Sequence, residues 1–224
     1  MVKKNEFAYR KSKSIPVKAN VEAQKFFLNN VLLPLLQRAV ENQCKVFFCD
    51  GVHLIYGYIG GYRWCKKRVC VPSAYGRKRA NLLGFLDPIS LKTEQIMNDT
   101  YLNSDSVCEG LKLLRKKYPF SPIFIVLDNA AYQRCKKVKD FAAELSISLV
   151  FLPPYSPNLN LIERLWKFLR NNLLSDKYFH TFSEFYNSIS DFIDYVHIQH
   201  FSALRSLISF NFESFEDLYI LDLL

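Results

Sequence analysis

The sequence lacks the features that would place the chain in a membrane or outside the cell. It holds no run of about 18 apolar residues, which excludes a membrane-spanning helix. Its first segment, MVKKNEFAYRKSKSIPVK, holds no apolar stretch typical of a signal peptide. The six cysteines form no Cys-x-x-Cys pair and no Cys/His set with zinc-like spacing. We therefore expect a cytoplasmic protein with reduced thiols and no membrane partner.

Internal repeats and low-complexity segments are absent too, and half of the 224 residues are hydrophobic. This composition excludes overall disorder and supplies enough apolar side chains for a packed core. The length suggests one large domain, or one domain with appendages.

The formal net charge of +9 is unevenly distributed along the chain. Residues 1–79 carry 16 basic and 4 acidic side chains, residues 80–175 carry 12 and 9, and residues 176–224 carry 2 and 8. A basic front and an acidic tail suggest a polyanionic partner, most simply nucleic acid. The alternative is an ordinary surface of solvated lysine and arginine, and charge alone does not decide between the two.

Hydrophobic periodicity predicts that short successive strands give way to alternating helices and strands near the middle of the chain. Strands are predicted at residues 45–50, 53–59, 68–72, 79–87, 122–127 and 147–152. Helices are predicted at 20–40, 104–118, 131–145, 159–174 and 182–199, with Pro34 breaking or kinking the first. Early strands with tight connections indicate an antiparallel meander, whereas later strands alternating with helices indicate parallel pairing. The predicted sheet therefore has three antiparallel strands followed by two that alternate with helices.

Two aspartates follow buried strands directly: Asp50 closes VFFCD and Asp128 closes IFIVLD. A carboxylate in that place is poorly solvated unless it meets a cation or hydrogen-bond donors. In such sheets ligands gather beyond the carboxyl ends of the strands, so two aspartates on neighbouring strands would converge there.

Glu163 is the third candidate, in the segment LPPYSPNLNLIERLWKFLR. It lies in the first turn of a predicted helix, at the edge of an apolar stripe and near Lys167 and Arg170. An alternative reading is a helix-capping box, in which Asn160 is followed three residues later by Glu163.

The three carboxylates together point to divalent metal chemistry. Oxygen ligands of this kind suit Mg²⁺ or Mn²⁺, and three carboxylates held close would repel one another without cations between them. Two ions about 3.5–4 Å apart suit in-line attack at a phosphodiester, where one activates the attacking hydroxyl and the other stabilises the leaving oxygen. We therefore predict two ions, with no need for a lysine or histidine base.

Three motifs make the chain resemble the catalytic core of DDE-type bacterial insertion-sequence transposases of the mariner-like superfamily. They are FFCDGVH around Asp50, IVLDNAAYQ around Asp128 and the long segment around Glu163. The 34 residues between Asp128 and Glu163 are similar to the spacing in that superfamily. Residues 73–88 also resemble it, and the whole resemblance covers roughly residues 15–200.

The resemblance implies an RNase H-like fold, with a mixed five-stranded sheet flanked by helices. It implies a catalytic and metal-binding triad of Asp50, Asp128 and Glu163, which hydrolyses a phosphodiester at the element's ends. The exposed 3′-hydroxyl then attacks double-stranded target DNA, usually at TA. We accordingly divide the chain into a basic arm with a helix (1–40), the catalytic domain (41–200) and an acidic tail (201–224). A homodimer is a natural expectation, because two DNA ends must meet.

Further residues are candidates for roles beside the triad. Asn129 could orient Asp128 or touch a phosphate, or it is simply a turn residue. His53 could approach the phosphate, or it is a histidine of the strand surface or of the core. Two basic clusters with interleaved aromatic residues suit phosphate contacts with stacking. The predicted DNA-binding residues are Arg63, Lys66, Lys67, Arg68, Arg77, Lys78 and Arg79. Basic clusters on predicted helices, at 115–117 and 134–139, are more often solvated faces.

The family's N-terminal helix-turn-helix region is not seen in this sequence. We expect either a second reading frame that is normally fused by frameshifting, or a truncated remnant. The first hypothesis is a metal-dependent transposase core; the alternatives are a catalytically silent DNA-binding remnant of a decayed element and a nuclease that cuts without joining. The tail at 211–224 either docks on another subunit or on the basic arm, or packs on its own domain.

Overall fold

A five-stranded mixed sheet forms the centre of the protein in a computed structural model. The structure describes residues 20–57, 60, 64, 66–67, 70–71 and 78–212. The strand order is β3-β2-β1-β4-β5, where the first three strands are antiparallel and β1, β4 and β5 run parallel. This arrangement confirms the predicted RNase H-like sheet, which is flanked by helices on both faces.

The strands begin and end close to the predicted positions, with three differences. They are β1 (Lys45–Ile55), β2 (Arg79–Leu86), β3 (Thr93–Asn98), β4 (Ile123–Leu127) and β5 (Ile147–Phe151). The predicted strands at 45–50 and 53–59 merge into β1, because the chain passes Gly51 without turning. The polar edge strand β3 was not predicted. Most of the predicted strand at 68–72 lies outside the described residues, and Cys70 and Val71 are not in a strand.

The helices surround the sheet and are joined in two places to π-helical turns. They are α1 (Val21–Phe27), α2 (Leu33–Val40), α3 (Ser104–Lys117), α4 (Lys136–Glu144), α5 (Ile162–Leu169), α6 (Phe182–Gln199) and α7 (Phe201–Leu207). The π-helical turns are Leu28–Leu32 and Arg170–Leu174, and a 3₁₀ turn spans Pro157–Leu159. Among the residues that the structure describes, we find no helix with the length and apolar character needed to cross a membrane.

The helical segment that was predicted to break or kink at Pro34 continues through a π-helical turn into α2, so the chain does not leave the helix at this residue. The π-helical turn lies directly before α2, and the Leu33 N–H donates to the Leu28 carbonyl across that wider turn. Pro34 then falls in the first turn of α2, where its missing N–H costs little.

The alternation of side chains along the strands divides the core into two layers. Phe48 and Leu82 face the layer that contains Trp166 of α5 and residues of α2 and α6. Phe47 and Phe85 face the opposite layer, beneath α3 and α4. Asp50 has the same parity as Phe48 in β1, so it lies on the α5 side of the sheet. The division into three regions at residues 40 and 200 remains a prediction.

Candidate active site

The parallel pairing of β1 and β4 brings the two aspartates to one edge of the sheet. Cys49 of β1 pairs with Leu127 of β4, and the residues that follow these two in the sequence are Asp50 and Asp128. On its other side Asp50 pairs with Gly84 of the antiparallel strand β2. Asp128 therefore follows the end of β4, as expected from the sequence, whereas Asp50 lies within β1, which continues to Ile55. The strand register still brings the two residues side by side.

Asp128 begins a turn that joins the ends of two strands. Its Oδ1 accepts a hydrogen bond from the Ala130 N–H at 3.2 Å. The Asn129 side-chain amide donates to the Leu152 carbonyl, and the Leu152 N–H donates to the Leu127 carbonyl at 2.8 Å. Asn129, beside Asp128, therefore links the end of β4 to the end of β5 through its side-chain hydrogen bond.

Glu163 reaches the site from the first turn of α5. The predicted capping box is absent: Leu161 is the N-cap and makes no side-chain capping bond. The Asn160 side chain instead donates from Nδ2 to the Cys49 carbonyl at 3.3 Å, which ties the start of the helix to β1 beside Asp50. Asn160 is 2% exposed, and its buried Oδ1 accepts no hydrogen bond in the structure.

Electrostatics show that the three carboxylates influence one another. Burial, followed by the charge of Glu163, raises the pKa of Asp50 to about 7, and Asp128 adds to that effect. Hydrogen bonds from the Gly51 backbone and from Trp166 oppose the rise. Partial burial of the carboxyl group also raises the pKa of Glu163; Arg170 lowers it and Asp128 raises it. The site therefore concentrates negative charge where water solvates it poorly.

A cleft of about 190 Å³ opens at this edge of the sheet. Its lining includes Asp128, Asn129, Tyr155, Asn160 and Glu163. Within residues 20–57 and 78–212, no three His, Cys, Asp or Glu side chains are already grouped closely enough to hold a metal ion. The donor chemistry nonetheless fits a divalent cation, because a partly buried set of mutually repelling carboxylates is stabilised by positive charge.

His53 lies on the other face of the sheet from Asp50. It is exposed, shares the parity of Gly51 rather than of Asp50, and its Nδ1 lies 2.7 Å from Oδ1 of the buried Asn81. The Asn81 side chain in turn donates a hydrogen bond from Nδ2 to Asn98 Oδ1 at 3.1 Å. These contacts favour the strand-surface interpretation of His53.

Four of the seven predicted DNA-binding residues lie in the described part of the chain. Lys66 and Lys67 are exposed. Lys78 is exposed and lies over the Phe182 ring at 5.5 Å, and Arg79 donates to the Thr100 carbonyl at 3.3 Å. Arg63, Arg68 and Arg77 lie outside the described residues.

The helix-borne basic residues have structural partners instead. Arg115 donates to five backbone carbonyls, those of Leu145, Tyr118, Pro119, Ser121 and Ser146. Lys117 pairs with Glu94, and Lys137 pairs with Asp105. Arg115 is therefore bound within the protein, whereas a solvated face was expected from the sequence, and Lys117 and Lys137 lie in surface ion pairs.

Sequence reasoning missed the site roles of Trp166, Asn160 and Gly84. By its spacing Trp166 belongs to the apolar stripe of its helix, and in the structure its Nε1 donates to Asp50 Oδ2 at 3.0 Å. A buried indole needs a hydrogen-bond acceptor, and that requirement is the signal that could have found it.

Comparison with known proteins supplies the family. The pattern of the DDE superfamily endonucleases matches residues 59–186, more than half of the chain. The chain belongs to this DDE superfamily. The matched stretch contains Asp128 and Glu163, while Asp50 lies upstream of it.

The fold of this DDE domain is similar to that of the Mos1 mariner transposase. A Mos1 paired-end complex with Mg is 15% identical, with a TM-score of 0.63 over 91% of this chain and 65% of that one. The Mos1 catalytic domain alone is 14% identical, with a TM-score of 0.56 over 87% of this chain and 94% of that one. The chain therefore spans less than two thirds of the Mos1 chain in that complex.

One curated relative is an uncharacterized protein, y4pE/y4sA, of Sinorhizobium fredii (strain NBRC 101917 / NGR234). It is 38% identical over 60 residues, which make up 27% of this chain and 42% of that protein. The match therefore spans less than half of the curated relative's length.

Proposed function

We propose that the chain is the catalytic domain of a DDE transposase, which cleaves DNA phosphodiesters at element ends and joins the 3′-hydroxyl to target DNA. The observation that carries the proposal is the register of β1 and β4 together with the α5 contact to β1. These features bring Asp50, Asp128 and Glu163 of a DDE-superfamily chain to one edge of the sheet.

Each carboxylate has a distinct support in this proposal. Asp50 is held between its Gly84 strand partner and the Trp166 indole, Asp128 is fixed by the turn at Ala130, and Glu163 is presented by α5. Their oxygens would hold Mg²⁺ or Mn²⁺. Two such ions, when bound, would activate an oxygen nucleophile and stabilise the leaving oxygen of the phosphodiester. The chain itself positions the carboxylates, and Asp128 and Glu163 line the cleft together with Tyr155.

Double-stranded DNA is the proposed partner. Exposed Lys66 and Lys67 supply positive charge that neutralises phosphates without reading sequence. A homodimer is part of the proposal, because joining requires two element ends in one assembly. The Mos1 structures that share the fold include a paired-end complex and a strand transfer complex.

The second candidate function is that of a catalytically silent DNA-binding remnant, and the third is a nuclease that cuts without joining. Retention of all three carboxylates favours an active enzyme over the remnant. The test uses the whole chain, Mg²⁺ or Mn²⁺, and labelled duplexes taken from the DNA that flanks the coding sequence. Cutting followed by joining to a second duplex supports the transposase. Cutting alone supports the nuclease, and binding without cutting supports the remnant.

A further inference from the structure

Trp166 makes an unusual contact for a core residue. Its side chain is 1% exposed, and its single polar atom donates to the Asp50 carboxylate at 3.0 Å rather than to a backbone carbonyl. A buried indole N–H must be paired, and a carboxylate that accepts it loses rotational freedom. The contact therefore restricts the rotation of the Asp50 carboxylate, which also accepts a hydrogen bond from the Gly51 backbone.

The space that the indole occupies is created by Gly84. Asp50 and Gly84 are direct partners across β1 and β2. A Cβ on Gly84 would lie 2.5 Å from Trp166 Cη2, closer than atoms can approach, and 2.9 Å from Ile162 Cδ1. The absence of a side chain at this one position lets α5 approach the sheet where Asp50 lies.

Glu163 is held by the same helix. Asn160, three residues before it, bonds to the Cys49 carbonyl, and Trp166, three residues after it, bonds to Asp50. These bonds fasten α5 to β1 on both sides of Glu163 in the sequence. They oppose the mutual repulsion of the Glu163 and Asp50 carboxylates, which would otherwise favour their separation.

We propose that Trp166 is a positioning residue, whose indole N–H orients the Asp50 carboxylate toward Glu163 so that the two can share a divalent cation. The inference rests on the proposed function, since it assigns how the Asp50 carboxylate of that site is oriented before the cation binds. A tryptophan that only fills the core would contribute to stability, but its indole N–H would not respond when the cation binds.

The first experiment needs no variant. The sequence has two tryptophans, and Trp64 is fully exposed, so an ¹⁵N-labelled chain gives two indole N–H signals in an NMR spectrum. Titration with MgCl₂ should shift the Trp166 signal to a saturating value and leave the Trp64 signal in place. Asp50→Asn should abolish the shift. A Trp166 signal that stays fixed while Mg²⁺ binds, measured by calorimetry on the same sample, would overturn the inference.

The second experiment compares Trp166→Phe with Trp64→Phe by calorimetric titration with MgCl₂. Trp166→Phe keeps an aromatic ring and removes the N–H donor. We expect its Mg²⁺ dissociation constant to rise about 10- to 100-fold, as for other groups that orient metal ligands, and Trp64→Phe to match the wild type. A folded Trp166→Phe chain with wild-type affinity contradicts the inference alone. A wild-type chain that binds no Mg²⁺ contradicts the proposed function itself.

Discussion

Gly84 and Trp166 lie so close that a Cβ on the glycine would stand 2.5 Å from the indole Cη2. Because Gly84 is also the strand partner of Asp50, this contact joins the packing of the core to the geometry of the site. Helix α5 can bring Glu163 to the sheet only where β2 offers no side chain. The contact suggests that a single methyl group at position 84 disturbs both stability and catalysis.

Gly84→Ala is therefore expected to lower the free energy of unfolding by about 1–3 kcal/mol, the usual cost of overpacking a core. It should also reduce DNA cleavage, because the displaced indole no longer reaches Asp50. Denaturant unfolding and a cleavage assay on the same preparation measure the two effects.

Gly110→Ala is the matched control for this change. Its Cβ would lie 2.2 Å from the Phe85 ring, in the opposite layer of the core, beneath α3. We expect it to lose stability but to cleave at the wild-type rate at temperatures where it stays folded. Equal losses of activity in the two variants would show that the effect at Gly84 is not specific to the site.

The raised pKa of Asp50 predicts how stability changes with pH in the absence of metal. The unfolded carboxyl titrates near 3.8 and the folded one near 7, so between those values the folded state holds the extra proton. Stability then falls as pH rises through this window, because the unfolded state binds fewer protons. Asp50→Asn cannot ionise, so above pH 7 it should become more stable than the wild type by about 4 kcal/mol.

Thermal unfolding in EDTA at a series of pH values tests this expectation, with exposed Asp140→Asn as the control for loss of one carboxylate. Adding MgCl₂ at a hundred times its dissociation constant should stabilise the wild type by about 2.7 kcal/mol and Asp50→Asn by much less. Stability curves that run parallel in the wild type and in Asp50→Asn would contradict the pKa assigned to Asp50.

Lys66 and Lys67 are predicted to act on DNA through phosphate charge alone. The double variant Lys66→Ala/Lys67→Ala should weaken binding uniformly across sequences. It should also reduce the slope of log K against log salt concentration by about 2. Fluorescence anisotropy over a series of NaCl concentrations measures the slope.

Arg115→Ala serves as the contrasting change, since its guanidinium is bound to backbone carbonyls. It should lower the free energy of unfolding by about 2–3 kcal/mol, in line with hydrogen bonds to a charged group, and leave the salt slope unchanged. A lower slope for Arg115→Ala, or an unchanged slope for the lysine pair, would reverse our assignment of the basic clusters.

The sequence predicted most of the sheet because its central strands are continuous apolar runs. It did not predict β3, Thr93–Asn98, since this edge strand is mostly polar and only half-buried. It divided β1 into strands at 45–50 and 53–59, whereas Gly51 lies within one continuous strand and packs against Leu102 and Tyr132. Local residue preference indicates turns, but pairing on both sides of a central strand overrides it.

The candidate site was predictable as a set of carboxylates and not as a set of contacts. Asp128 follows a strand whose end can be found from hydrophobicity, and Glu163 lies in a periodic helix. Asp50 follows an apolar run, although the strand itself continues beyond it to Ile55. The bonds from Trp166 and Asn160 join residues more than 100 positions apart, so local patterns carry no trace of them. The capping-box alternative was wrong for the same reason, because the Asn160 side chain donates its hydrogen bond to the distant Cys49 carbonyl.

The most direct test of the central claim is nicking of supercoiled plasmid DNA, which needs no knowledge of the element's end sequence. Wild type, Asp128→Asn and the control Asp140→Asn are compared with Mg²⁺, with Mn²⁺ and with EDTA. The account predicts nicking by the wild type and by Asp140→Asn with either ion. It predicts only the protein-free rate for Asp128→Asn and for every sample in EDTA. Nicking that persists in Asp128→Asn, or a wild type no faster than the protein-free control, would contradict a metal-dependent site built on these carboxylates.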